Sequence, residues 1–215
     1  MTSLSLNRQA GGRNPERTRE RILAAALREF AAAGFAGARV NRIAKRAAVN
    51  KRMLYHYFGN KENLFREVLR LKMAQRQAWA ETLSGDPAES IAFWFDAACR
   101  DPDWVRLLEW EALQEANGEL IDEKARRAAT TRGLERIRGR QARGQISAEF
   151  DPRHVMLAMR SLNMFPAAFP QLTRLIMGRS VFDPKFQRDH AAFLRKFAAA
   201  FQPAGAPAAT NTFKP

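Results

Sequence analysis

A chain of 215 residues, 46% of them hydrophobic, can bury a sizeable core without staples, and its single cysteine, Cys99, excludes an internal disulfide or a multi-cysteine zinc site. The net charge of +14 is unevenly spread: residues 1–72 hold 16 Lys and Arg against 5 Asp and Glu, whereas residues 73–215 hold 20 against 17. Charge carried for solubility alone has no reason to be segregated, so a basic, anion-seeking module joined to a nearly balanced one is expected.

The first residues lack the apolar core of a signal peptide, and nowhere do about 18 apolar residues run together, which predicts a cytoplasmic protein with no membrane partner. Residues 1–14 are small, polar and basic and read as a disordered arm. From Arg17 to Ala33, Ile22, Leu23, Ala26, Leu27 and Phe30 recur at helical spacing with Arg and Glu opposite, giving an amphipathic helix ended by Gly34. Val40, Ile43, Ala44 and Ala47 at i, i+3, i+4 and i+7 mark a second, short helix. A third starts at Asn50, an N-cap residue type, and turns Leu54 and Phe58 inward while Lys51, Arg52 and Tyr55 stay outside. Gly59-Asn60 stops it, and Asn60 caps a fourth helix from Lys61 through Leu64, Phe65, Val68 and Leu69 into the low seventies.

Beyond a turn at 84–90, the segments 88–100, 103–116, 120–142, 153–165, 171–178 and 184–201 all read as helices, and no alternating strand pattern occurs. Breaks at Pro87, Pro102, Gly118, Gly144, Pro152, Pro166, Pro170 and Pro184 separate them without any Gly/Ser linker, so one packed helical body is expected. Residues 203–215, rich in Ala and Pro, read as a disordered tail. The fold class is all-α.

Ile43-Ala44, the tight connection Ala47-Ala48-Val49 and then Leu54 have the spacing of a helix-turn-helix, in which the first turn of the second helix enters the DNA major groove. Lys51, Arg52 and Met53 fall on that turn, where Arg or Lys donates to guanine O6 and N7. Tyr55, His56, Tyr57 and Lys61 surround the same edge with phenol, imidazole and ammonium donors suited to phosphate oxygens. The competing reading is a solvated charge run over core aromatics, with Tyr57 buried by its ring; the coincidence with the helix-turn-helix register favours DNA.

At "RERILAAALREFAAAGF" (19–35), "VNRIAKRAAV" (40–49) and "LYHYFGNKENLF" (54–65) the chain resembles the TetR family of bacterial transcriptional regulators. The resemblance implies groove-facing roles for Asn41, Lys51, Arg52 and Tyr55 and backbone contacts for His56, Tyr57 and Lys61. Two departures stand out. Ala38-Arg39 replaces the Thr or Ser that usually opens the second helix, so its N-cap is lost or is replaced by a phosphate-directed Arg39. Ala48 replaces the usual turn Gly and must bear any left-handed conformation with its Cβ.

The resemblance also implies that residues 15–72 form a helix-turn-helix domain with its connecting helix, and that residues 73–202 bind a small effector and form a homodimer through the last major helices. Trp79, Phe93, Trp94, Trp104 and Trp110, with Met156, Met164, Phe165 and Phe169, are candidates to line an apolar pocket; ordinary core aromatics are the competing reading. Arg160 sits inside "VMLAMRSLNMF" near Asn163, and if buried it needs an anion: Glu109, Glu111 or an acidic ligand, solvent being the alternative. Phe186, His190, Phe193, Leu194, Phe197 and Phe201 form an aromatic stripe facing either a second subunit or the core.

His56, His154 and His190 are scattered, and no phosphate-binding Gly loop or metal-ligand spacing occurs, so no catalytic residues, metal or cofactor are expected. The expected function is a sequence-specific transcriptional repressor bound to a palindromic double-stranded operator and released by a small-molecule effector. A non-specific architectural DNA binder, a ligand-sequestering protein and an enzyme using the C-terminal pocket are the alternatives.

Overall fold

The computed structural model describes residues 14–83, 85–114 and 120–201; the expected arm, apart from Asn14, and the expected tail lie outside them. The chain divides into two compact units, one up to Leu69 and one from Arg70 onward.

The first unit holds α1 (Pro15–Gly37), α2 (Val40–Arg46), α3 (Lys51–Phe58) and the start of α4 (Lys61–Thr82). α1 begins earlier than its apolar periodicity does, because the Asn14 side chain accepts the Glu16 and Arg17 N–H groups and Pro15 supplies a preset φ at the first helical position. Its regular part stops at Gly34, which has φ 67° and is buried, a conformation that a Cβ would strain. Ile22, Phe30, Ile43, Leu54, Leu64 and Leu69 retain no exposed surface and form the core of this unit, and Phe65 meets Phe30 edge-on at 4.8 Å. Burial of each such side chain contributes about 1.5–3 kcal/mol before entropy is counted.

α4 runs to Thr82 rather than ending in the low seventies, so the boundary expected at residue 72 falls inside one helix. The physical reason is plain in the sequence: neither Gly nor Pro occurs between Lys61 and Thr82 to stop it.

The second unit continues with α5 (Pro87–Arg100), α6 (Pro102–Gln114), α7 (Glu123–Ala142), α8 (Pro152–Ala168), α9 (Pro170–Met177), α10 (Pro184–Ala198) and a 3-10 turn, Ala199–Phe201. α5 packs against α8 and α10. Ile91, Phe95, Cys99, Val181, Phe186, Leu194 and Ala198 make one apolar cluster there, and Ile137, Ile146 and Val155 make another. Four helices begin with Asp-Pro. In three of them the aspartate, Asp86, Asp151 or Asp183, caps its helix through the backbone N–H two residues on. The fourth, Asp101, turns its carboxylate to Lys72, 2.6 Å away.

Pro166 does not break its helix as expected: α8 passes through it and ends at Ala168, before Phe169-Pro170. The proline removes one helical hydrogen bond, to Leu162, and the freed carbonyl is engaged by the His190 ring instead. No helix among the described residues is long and apolar enough to cross a membrane.

Candidate functional site

Asn50 caps α3 by accepting the Met53 N–H at 2.7 Å, and Asn60 caps α4 by accepting that of Asn63 at 2.7 Å. Leu54 and Phe58 anchor α3 in the core, which leaves Lys51, Arg52, Tyr55 and His56 exposed and Met53 and Tyr57 half-buried. Between α2 and α3 the connection bends through Ala48 at φ 52°, the left-handed conformation usually reserved for glycine.

α2 opens at Arg39 without any side-chain cap. Its place is taken from α1, where Glu29, only 2% exposed, accepts the Arg39 N–H at 3.3 Å and lies 3.6 Å from the Arg42 guanidinium. A buried carboxylate thus fixes the first turn of α2 and frees the Arg39 side chain, which is exposed. Lys61 is held as well: its ammonium donates to the Ala36 carbonyl at 3.2 Å and lies over the Phe35 ring at 4.9 Å. The Lys51 ammonium stands 5.6 Å from the Tyr55 ring centroid.

These elements enclose a concavity of about 470 Å³ lined by Ala38, Arg39, Val40, Asn41, Arg42, Lys51, Tyr55 and Lys61. Its lining has four cations and no carboxylate, so it attracts anions. Of the residues expected to touch DNA, Arg39, Asn41, Lys51, Tyr55 and Lys61 meet in this hollow. Arg52, Met53, His56 and Tyr57 lie elsewhere on α3, where the His56 and Tyr57 rings meet edge-on at 5.8 Å. Arg42 and Glu29 were missed by sequence reasoning. Arg42 follows Asn41 on a face already assigned to the groove and was legible; Glu29 looked like any polar residue of an amphipathic helix.

In the second unit, Trp79, Phe93 and Trp94 form a chain of edge-on rings, with Trp79–Phe93 at 6.2 Å and Phe93–Trp94 at 5.4 Å. Trp79, Trp94 and Trp104 also converge on one cation, the Arg76 guanidinium, at 5.7, 5.8 and 5.1 Å. Arg76 was not singled out from the sequence; the signal was its i, i+3 spacing to Trp79. Trp110 is half-buried on α6.

The other expected pocket residues lie along α8. Met156 packs against the Ile137, Ile146 and Val155 cluster, close over Gly133, where an added Cβ would lie 2.8 Å from its terminal methyl. Met164 is half-buried, and Asn163 is buried with its Oδ1 lacking a hydrogen-bond partner among the described residues. Arg160 is exposed, although crowding still lowers its pKa through desolvation. Glu111 is not its partner, because a bidentate ion pair at 2.7 and 2.8 Å commits that carboxylate to Arg126. Glu109 is half-buried, and desolvation raises its carboxyl pKa against the opposing effect of Arg106.

Phe165 is exposed beside Phe169, and ten of the fifteen exposed large apolar side chains among the described residues fall between Leu157 and Phe197. The aromatic stripe of α10 is divided: Phe186 and Leu194 enter the core, whereas Phe193 and Phe197 face outward. Most of the exposed apolar surface among the described residues therefore lies on α8, α9, α10 and the connections between them.

Residues 22–68 match the family described as bacterial regulatory proteins, tetR family, and residues 86–199 match the tetracyclin repressor-like C-terminal domain. The chain is 35% identical over 170 residues to the HTH-type transcriptional repressor SCO4008 of Streptomyces coelicolor, a match spanning 77% of this chain and 86% of that one. It is 29% identical over 181 residues to the HTH-type transcriptional regulator RutR of Escherichia coli, spanning 77% and 81%. Among solved structures, SCO4942 from Streptomyces coelicolor is similar with a TM-score of 0.72 at 30% identity, over 86% of this chain and 98% of that one.

Proposed function

The chain belongs to the TetR family of bacterial regulatory proteins, and we infer that this DNA-binding transcriptional repressor grips a palindromic operator as a homodimer and releases it when a small molecule occupies its C-terminal unit. The observation that carries the DNA reading is the cationic hollow at the foot of α3, where Arg39, Arg42, Lys51 and Lys61 surround Asn41 and Tyr55. Four cations of one sign neutralise phosphates and fix register, and Lys51 and Arg52 on the capped first turn of α3 read base edges. An architectural binder needs the charge alone; a capped α3 with exposed Lys51 and Arg52 ahead of buried Leu54 supports groove reading.

The exposed apolar side chains of α8, α9 and α10 support twofold pairing, since an isologous interface buries the same patch on both subunits and doubles the DNA contact. The aromatic group around Arg76 supports an effector site in the second unit. A role on the chromosome places the protein in the cytoplasm.

Selection of the purified full chain against a random duplex library tests the reading. Recovery of an inverted repeat is the expected result, with half-sites spaced by about one helical turn. Recovery of salt-sensitive binding with no sequence preference would show an architectural protein instead.

A further inference from the structure

From the free edge of the Arg76 guanidinium, we infer that Arg76 anchors the carboxylate of a planar aromatic acid, and that such an acid is the effector class of this protein; the second clause rests on the effector reading of the second unit.

The Nε and Nη2 atoms of an arginine lie on one edge of the guanidinium and donate in parallel, the fork that takes both oxygens of a carboxylate. In Arg76 both atoms are buried, and neither has a hydrogen-bond partner among the described residues. The nearest carboxylate among the described residues, Asp101, stands 3.8 Å from Nη2, beyond hydrogen-bond reach, because Lys72 holds it at 2.6 Å. Asp101 therefore balances charge at a distance and leaves the fork without a hydrogen-bond partner among the described residues. Lys72, Arg76 and Asp101 are all largely buried and together carry a net charge of +1, with no further carboxylate paired to them among the described residues. Burial lowers the Arg76 pKa to about 10 in spite of Asp101, which is the mark of a cation short of a counter-charge.

The surroundings of the fork select the body of the ligand. Trp79, Trp94 and Trp104 lie within 5.8 Å of the guanidinium carbon, and Phe93 stands edge-on to Trp79 and Trp94. Indole faces stack on flat apolar rings, so an aromatic acid satisfies the fork with its carboxylate and the indoles with its ring. A bare inorganic anion would use only the fork. A cationic ligand would meet the net positive charge and be repelled.

Three of the four tryptophans flank the cation, so indole fluorescence reads the site directly. The full chain is titrated with benzoate and 2-naphthoate, with their uncharged amides, and with acetate as the charge-only control, by fluorescence and calorimetry. Saturable binding of at least one aromatic acid is expected, with its amide and acetate about ten-fold weaker or more. Arg76→Gln and Arg76→Lys should each weaken that acid by about ten- to hundred-fold, since neither keeps the fork, while Arg160→Gln leaves it unchanged. Equal affinity for acid and amide, loss of binding in Arg160→Gln but not in the Arg76 variants, or no saturable signal from either acid overturns the inference. Where an Arg76 variant fails to fold, the acid and amide comparison on the unaltered protein decides. Operator titration then separates the two readings: an acid bound at Arg76 that leaves operator affinity unchanged overturns the effector reading alone. An uncharged ligand that releases DNA equally from the unaltered protein and from Arg76→Gln overturns this inference alone.

Discussion

His190 on α10 donates a ring N–H to the backbone carbonyl of Leu162 on α8, the acceptor that Pro166 cannot serve. Its other ring nitrogen, Nε2, is buried without a hydrogen-bond partner among the described residues, so Nδ1 carries the bonding proton and the ring is neutral. Phe95 at 4.7 Å, Phe186 at 5.2 Å and Phe193 at 5.7 Å surround it. Burial among these rings lowers the His190 pKa, and the Leu162 carbonyl offsets this only in part.

A depressed histidine pKa makes the folded state the poorer proton binder. Stability held above the unfolded pKa of about 6.5 should therefore fall as pH drops below that value, by up to about 1.4 kcal/mol per pH unit, until the folded pKa is passed. His190→Gln keeps a donor for Leu162 and should flatten this part of the profile. Urea denaturation at pH 7.5 and 5.5 checks it; parallel profiles for the two proteins would show that His190 titrates as an ordinary histidine.

Ala48 bears a left-handed φ of 52° on the exposed helix-turn-helix connection. Ala48→Gly removes a Cβ clash of about 1–2 kcal/mol at an entropic cost of about 0.5–1 kcal/mol, so a gain near 0.5–1 kcal/mol is expected. Thermal melting should show a higher midpoint with operator affinity kept. A lower midpoint would mean that the connection relaxes without strain.

Glu29→Ala should destabilise the first unit by about 1–3 kcal/mol, because it strands the Arg39 N–H in a site the carboxylate now fills. Glu29→Gln retains an acceptor and should cost less. Operator affinity should follow the same order, since Arg39 and Asn41 ride on the turn that Glu29 holds. Identical melting of Glu29→Ala and the unaltered protein would remove Glu29 from this role.

Arg52→Ala should relax preference at one operator position by about 1–3 kcal/mol, whereas Lys61→Ala should weaken all sequences alike and shallow the salt dependence. Lys61→Ala also loses the Ala36 and Phe35 contacts, so its stability must be measured beside its affinity. Competition binding against single-base operator variants separates the two. A uniform loss for Arg52→Ala at every base would make Arg52 a phosphate contact.

Phe193→Asp or Phe197→Asp places a charge on the outward face of α10 and should split the proposed homodimer, or unfold it where no stable monomer exists. Light scattering over a concentration series reports the outcome. A monomer already present in the unaltered protein at high concentration would end the twofold reading.

The residues that were easiest to read act within one helical turn. Asn50 caps through Met53, Asn60 through Asn63, and the Ile43, Leu54 and Phe58 register needs only a 3.6-residue period. What escaped the sequence acts across it. Glu29 meets a backbone N–H ten residues away, at the start of the next helix, and Arg76 finds Trp94 and Trp104 on other helices and Asp101 in the connection between them. Pro166 was misjudged for the same reason: a breaker is tolerated when a distant side chain, here His190, takes up the carbonyl it strands.

Cys99 lies on α5, 5% exposed, against the Phe95 and Leu194 cluster, and burial with the nearby Asp96 charge pushes its thiol pKa up to about 12. The thiolate is the nucleophile that attacks an alkylating reagent, so the native thiol should be inert and should react only in the fraction of time that the α5–α10 core stands open. As the sole cysteine of the chain it is a clock already installed. The rate of its alkylation counts openings of that core, and a molecule bound to the second unit slows the count by the factor with which it favours the closed form.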